Sequence, residues 1–494
     1  MGSLPDSKYI IQTDGYWFVE AHDVDPSKGY ITVSAKGIVN GLSNQPNDGA
    51  DFGPDSYNPS YSGSGIPYTS TSGIQEGLDY VKAQNGGTLR IFTGVYTINT
   101  AIAYSIDDPS QGGISIIGAQ INEETNAIGG VRIEPGDNFT SGAYLMTFGK
   151  DTTVQLNVDI ENLYFYGGKN GSTSAFASGI NLQNIGIFYS KNLTFSYCVV
   201  GKYLQKHSNI GIINGVTNIQ DVFNYCNTGI INEYTSSFYT PQFFNCVLPI
   251  QEQGLLGTAY YSPTLLGTSG TTLVELASSN NLSLYIYNMV VNGMVSGATV
   301  FGINNDTHQW LHVYGLYTKD DGITIFKELT YGNNFFAVVS GYNYYGNNVT
   351  LIDISSNISG EIKFVDGYIN GGITVTATYP IGNPVVKFSN VTNIDQITAS
   401  ISPNPPVSGT SYQNTNPYDI LIYLPSYATT SGTSGTVAVA IGSSSSPSTT
   451  FTELVSGSTT SSAPDTIQIK VPAGWYYKVT TSGVTLATAT VIAD

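Results

Sequence analysis

Asp159 and Glu161 stand two residues apart at the entrance to the most repetitive stretch of the chain, and on a strand two such side chains project from one face. Two carboxyl groups about 5–9.5 Å apart are the chemical minimum for cutting a glycosidic bond, one as acid and the other as base or nucleophile. Asp159 and Glu161 are therefore the candidate catalytic pair. Asp320 with Asp321, and Asp353 with Asp366, offer the same groups, with turn capping or solvated surface as the competing reading. Holding a sugar asks for less than cutting it: an aromatic face to stack on and a polar edge. Trp310, His312 and Tyr314 recur at alternate positions, and Tyr342, Tyr344 and Tyr345 follow one repeat later. These six are the candidate glycan-binding residues, although strand alternation turns about half of any such set inward. Trp475, Tyr476 and Tyr477 carry the same two readings.

No metal centre is expected. Asp48, Asp51 and Asp55 lie in a Gly- and Asp-rich loop that offers carboxylates to calcium, yet the glutamate that closes an EF-hand loop is missing at the required distance. Glu20, His22, Asp23 and Asp25 form a small acidic cluster at a hairpin end, where solvation is the first reading. Cys198, Cys226 and Cys246 have no second Cys or His at zinc spacing. Small core residues in a column is their first reading and a disulfide between neighbouring coils the second.

The elements that would position these groups are repeats. Four versions of one phrase follow Asp159: Asn162-Leu163-Tyr164-Phe165, Asn192-Leu193-Thr194-Phe195, Gln220-Asp221-Val222-Phe223 and Gln242-Phe243-Phe244-Asn245. Phe165, Phe195, Phe223 and Phe243 mark steps of 30, 28 and 20 residues. A second set, Tyr285-Ile286-Tyr287, Leu311–Tyr314, Phe335–Val339 and Ile362–Val365, leads each time to a glycine: Gly293, Gly322, Gly346 and Gly371. Each phrase is four or five alternating β-branched or aromatic residues bounded by turn formers, which is a strand and its turn. One coil of such length cannot bury its apolar face, but stacked coils pair each strand with its equivalent about 4.8 Å away and bring like side chains into columns. A repeat of twenty to thirty residues favours a solenoid over a sandwich.

Of 494 residues, 41% are hydrophobic and 11% charged, so the core is large and solubility rests on Asn, Ser, Thr and Tyr. The net charge is −18 and arginine occurs at Arg90 and Arg132 alone, which excludes the clustered cations that nucleic acid requires. No apolar run reaches the 18 or so residues of a membrane span, and no basic start leads into a hydrophobic block.

One amphipathic helix is expected, from an N-cap at Ser72 with Gln75 completing a capping box, through Ile74, Leu78 and Val81, to a stop at Gly86-Gly87. It suits a lid over the first coil, which otherwise exposes core and strand edge. The order Gly49-Ala50-Asp51, helix with Ile74-Gln75, Gly86-Gly87-Thr88-Leu89, then Thr93-Gly94-Val95-Tyr96 resembles the opening of the pectate-lyase superfamily, with Thr93 in place of the usual proline. That resemblance covers residues 46–100 by motif and reaches near 400 by repeat pattern. It implies an all-β fold, a right-handed parallel β-helix with an N-terminal capping helix. The superfamily's familiar active sites are incomplete here: no Gly-His-Gly accompanies Asp107-Asp108 or Asp320-Asp321, and neither arginine has a lysine two residues on.

Within the superfamily the Tyr-, Asn- and Ser-rich, lysine-poor chain resembles viral tail-fibre and tailspike proteins, including those of viruses of thermophilic archaea. What this implies is a homotrimer on the virion surface or tail, or otherwise extracellular, contacting other virion proteins and attaching to a host-surface polysaccharide or glycoprotein. Cleavage by a β-helix lyase or glycoside hydrolase is the alternative, and a non-enzymatic surface-layer or appendage protein a third. The chain order reads as an N-terminal β segment at 1–45, β-helix entry at 46–105, parallel β-helix at 106–401, a proline-stiffened linker at 402–416 and a β-sandwich at 417–494. Five strands are expected in that last module, with the Ser/Thr-rich stretches 426–435 and 443–462 as surface loops.

Overall fold

The computed structural model describes residues 9–13, 16–19, 29–35, 50–53, 69–108, 112–119, 130–150, 156–206, 215–254, 256–277, 282–304, 308–329, 334–354, 359–369, 373–377, 385–391, 403–416, 419–429, 434–456 and 465–493. The chain divides into two compact units, Met1–Val274 and Glu275–Asp494.

In the first unit the repeated phrases are strands stacked in parallel. Leu156–Glu161, Ile185–Lys191, Val216–Ile219 and Ser236–Tyr239 form one column, here sheet A. Leu163–Tyr166, Thr194–Ser196, Val222–Asn224 and Gln242–Phe244 form sheet B, and Ser178–Gln183, Val200–Gln205, Thr228–Asn232 and Leu248–Glu252 form sheet C. Three strands per coil, each paired with its equivalents in adjacent coils, make a parallel β-helix. Phe165, Phe195, Phe223 and Phe243 meet in register, and their rings stack at 5.2, 5.0 and 5.0 Å inside the helix. The column fits because sheet C opposes it with glycine: a Cβ on Gly179, Gly201 or Gly229 would come within 2.6, 2.6 and 2.9 Å of a phenylalanine ring carbon. Each cysteine is a free, buried thiol, and each donates to the carbonyl of a phenylalanine one coil earlier, Cys198 to Phe165, Cys226 to Phe195 and Cys246 to Phe223.

The corner between sheets A and B is made by one left-handed residue per coil: Asn162, Asn192, Gln220, Thr240 and Ser262, with φ between 50° and 58°. Asparagine tolerates that conformation best among non-glycine residues, and stacking turns the tolerance into a bond, Asn192 Nδ2 donating to Asn162 Oδ1 at 3.0 Å.

Helix Ile74–Ala83 buries Ile74, Gly77, Leu78 and Val81, and packs against the early strands Ile31–Val33, Gly87–Ile91 and Ile102–Tyr104. Its Gln75 amide behaves as an extra strand, accepting from Ala103 N at 2.8 Å and donating to Ala103 O at 2.9 Å, so the edge of sheet C is satisfied. The cap differs from the expectation at Ser72. Gly73 adopts φ +84°, with Gly53 backbone 2.6 Å from where a Cβ would stand, and that turn sends Ser72 Oγ to Thr97 O. Thr71 caps instead, its Oγ1 accepting from Gln75 N and donating to the Glu76 carboxylate. Ahead of the helix, Tyr9–Thr13 pairs antiparallel with Tyr16–Val19, while Ile31–Val33 joins sheet A beside Gly87–Ile91.

The second unit begins with the same kind of coil. Leu282–Asn292, His308–Thr318, Asn334–Ser340, Ser359–Val365 and Val385–Ser389 run parallel in one column, and Thr299–Ile303, Thr324–Glu328, Val349–Ile354 and Ile373–Ala377 in another. Leu282–Asn292 and His308–Thr318 reach 11 residues because the corner residues Asn288 and Gly315 bend the strand without ending it. The C-terminal part holds two four-stranded antiparallel sheets. Ile420–Ala428 is central to one and Ser434–Gly442 to the other. Two expectations change here. Thr449–Ser456, in a Ser/Thr-rich stretch taken as loop, is a strand paired with Ser434–Gly442. Ser411–Gln413 also pairs with Tyr476–Ser482, so these residues of the expected linker belong to the sandwich.

Candidate aromatic binding face

Strand His308–Thr318 carries Leu311 and Val313 inward, both at 1% exposure or less, so Trp310, His312 and Tyr314 project outward together. Register puts Tyr285 and Tyr287 beside His312 and Tyr314 on one neighbouring strand, and Phe336 and Val338 beside Trp310 and His312 on the other. Each of these three rings is stacked on a neighbour: Trp310 on Phe336 at 4.4 Å, His312 on Tyr285 at 5.0 Å and Tyr314 on Tyr287 at 5.2 Å, with interplanar angles of 13°, 9° and 11°. Trp310 and Tyr314 remain 43% and 41% exposed. Partial burial lowers the His312 pKa, so its imidazole is neutral near pH 7. The result is a rigid aromatic shelf with polar edges, pre-ordered by its own stacking.

Tyr342 and Tyr344 leave the candidate set. They are 1% and 0% exposed, stacked on each other at 4.7 Å within the core. The reason is the corner at Gly341, φ +66°, which resets the alternation so that both rings turn inward. Tyr345 is 44% exposed and stands between Tyr317 and Tyr368, at 5.7 and 5.4 Å, as a second outward row. In the sandwich Trp475 is exposed and Tyr477 buried.

Asp159 and Glu161 lie on sheet A in the first unit, half-buried on its outer face. Positions i and i+2 on a strand are roughly 6.6 Å apart, within the span two carboxyl groups need. Asp159 stands between Ser115 and Tyr189, and Glu161 beside Lys191. Ser115 Oγ donates to Asp159 Oδ2 at 3.3 Å, while Asp159 Oδ1 has no hydrogen-bond partner. Burial, and then the charge of Glu161, raise the Asp159 pKa, which suits it better to the acid role. The other carboxylates hold turns and ion pairs. Asp320 Oδ1 accepts from Gly293 N, Asp321 from Asn347 N, and Asp366 from Asn390 Nδ2, while Asp353 lies 3.7 Å from Lys327.

Of the calcium candidates, Asp51 is committed to structure: its Oδ2 accepts from Thr32 N and Oγ1 at 2.8 and 2.7 Å. Asp48, Asp55, Glu20, His22, Asp23 and Asp25 lie outside the described residues. Among the described residues no three His, Cys, Asp or Glu side chains converge as a metal site, and no helix is long and apolar enough to cross a membrane.

Sequence reading missed the partners that complete the shelf, Tyr285, Tyr287 and Phe336, although each sits in a repeated phrase; aligning the phrases strand to strand would have found them. It also missed two polar clusters inside the first unit. Lys202 Nζ meets Asp221 Oδ2 at 2.5 Å, Asn218 Oδ1 at 2.8 Å and Ser190 Oγ at 2.9 Å, with Lys202 and Asp221 at most 1% exposed. Glu252 accepts from Tyr260 Oη and Asn232 Nδ2, and burial pushes its carboxyl up to about 8.

No family model matches the chain, and no curated protein matches it in sequence. Among solved structures it is similar to the enzymatically active domain of tailspike protein 2 of bacteriophage CBA120, with a TM-score of 0.36 and 10% identity over 87% of this chain and 74% of that one. A mutant tailspike of Escherichia coli bacteriophage HK620 in complex with a pentasaccharide gives 0.37 and 12%, over 85% and 88%. The A-module of the Azotobacter vinelandii mannuronan C-5 epimerase gives 0.25 and 11%, over 67% and 97%. The β-helix assignment itself rests on the strand registers.

Proposed function

We propose that this protein is a glycan-binding fibre or spike protein whose shelf at Trp310, His312 and Tyr314, extended by Tyr285, Tyr287 and Phe336, packs sugar rings against its exposed aromatic surface. The supporting observation is the exposure of stacked, nearly parallel rings on one face of three successive strands. A ring immobilised by its neighbour loses little entropy on binding, so weak sites of this kind suit multivalent attachment. In this reading the chain works as a homotrimer on a virion surface or tail, held by other virion proteins and attached to host-surface polysaccharide or glycoprotein. Retention of the purified protein on host-envelope polysaccharide tests it. Trp310→Ala with Tyr314→Ala is expected to abolish retention with only a small drop in melting temperature. A trimer that falls apart in the same variant would instead place the shelf between copies of the chain and overturn the reading.

Cleavage is the second reading, and the raised pKa of Asp159 beside Glu161 favours it. New reducing or unsaturated ends released from the same polysaccharide, and lost in Asp159→Asn with Glu161→Gln, would support it. Release that persists in that variant excludes the pair.

A further inference from the structure

The outward columns that form the shelf continue across two more strands and change character there. In the column of Trp310 and Phe336 the next residue is Glu361, and in the column of Tyr285, His312 and Val338 the next two are Lys363 and Lys387. One carboxylate serves two ammonium groups: Glu361 Oε2 lies 3.2 Å from Lys363 Nζ, and Oε1 lies 2.6 Å from Lys387 Nζ. Both lysine side chains are about half exposed, at 44% and 55%. Two cations on one anion leave an excess positive charge, in a chain whose net charge is −18. Each ammonium has three N–H donors, and the ion pair with Glu361 holds the group in place. Burial alone would raise the Glu361 carboxyl, but the two lysines outweigh it and hold it below its ordinary value, so this carboxylate is charged at neutral pH.

From this geometry we propose that the shelf selects an anionic polysaccharide. Neutral sugar rings pack against Trp310, His312 and Tyr314, and a carboxylate or sulfate further along the glycan is met by Lys363 and Lys387. The inference rests on the glycan-binding reading of the shelf and adds the charge class of its ligand. Distance supports it. Lys363 lies two strands from His312 in the same column, roughly 9.6 Å along the sheet, so a glycan running across the strands passes over rings first and cations next. The placement also answers an electrostatic difficulty: an acidic protein repels a polyanion at long range, and a local cationic end gives the ligand one favourable place and orientation to settle.

The test compares two probes with one backbone, dextran and carboxymethyl-dextran, immobilised and titrated with full-length protein in 0.15 M salt. The expected result is at least several-fold tighter binding of carboxymethyl-dextran, with the preference shrinking in 0.5 M salt. Lys363→Gln with Lys387→Gln is expected to erase the preference while leaving dextran binding unchanged, and Lys363→Arg with Lys387→Arg to keep it. Trp310→Ala should weaken both probes. Equal affinity for the two probes, or a preference that survives the glutamine variant, would overturn the charge selection and leave the shelf intact as a binding site. Binding of neither probe would remove the shelf reading and this inference together.

Discussion

In the first unit Phe165, Phe195, Phe223 and Phe243 stack inward at 5.0–5.2 Å, whereas in the second Trp310 with Phe336, His312 with Tyr285 and Tyr314 with Tyr287 stack outward at 4.4–5.2 Å. The spacing is the same because the strands set it. What differs is which phase of the alternation carries the rings, and that decides whether a column stabilises the fold or faces a ligand. The ionisable clusters divide the same way. In the first unit Lys202, Asp221 and Glu252 are buried, while in the second Glu361, Lys363 and Lys387 sit outside. Stacking multiplies whatever a position holds, and facing assigns it a task.

The largest effects should come from the inward side. Asp221→Ala leaves the Lys202 ammonium buried without its anion and should cost about 3–5 kcal/mol, read from the denaturant midpoint, with much of the loss recovered when Lys202→Met is added. Phe195→Ala should cost about 3–5 kcal/mol by opening a gap in the column. Gly201→Ala, which drives a Cβ against Phe223, should cost about 1–3 kcal/mol.

Glu252 sharpens the comparison through pH. Its folded pKa is raised to about 8 from 4.5, so between these values the folded state holds a proton that the unfolded state has lost. Stability is therefore fully present below about pH 4.5, falls as pH rises toward 8 by up to about 1.4 kcal/mol per unit, and levels off above. Glu252→Gln should flatten this dependence and raise the melting temperature at pH 8. The smallest stability change is expected outside: Trp310→Ala removes one cross-strand pair, under about 1 kcal/mol, yet should take most of the glycan binding with it.

Much of the fold was legible because stacking forces like residues into register. The four phenylalanine phrases, with unequal steps of 30, 28 and 20 residues, pair residue for residue, and the Asn162 and Asn192 that open two of them bond side chain to side chain. The aromatic shelf was half legible. Alternation identified Trp310, His312 and Tyr314 as one set, but it cannot carry phase across a corner, so Tyr342 and Tyr344 were indistinguishable from outward rings until Gly341 was seen to reset the count. The buried Lys202, Asp221 and Glu252 were invisible, since charge in a sequence reads as surface and their partners come from other coils. Strand Thr449–Ser456 was hidden for a different reason: among its described side chains Val455 is buried and Thr450–Leu454 are half-buried or exposed, so it has little apolar alternation to read.

The most direct test of the account is calorimetric titration of host-envelope polysaccharide into wild-type protein and into the Trp310→Ala, Tyr314→Ala variant, with melting temperatures measured alongside. The account predicts saturable binding by the wild type, its loss in the variant, and a melting temperature lowered only slightly. Binding that survives the double substitution in a fully folded protein would contradict it.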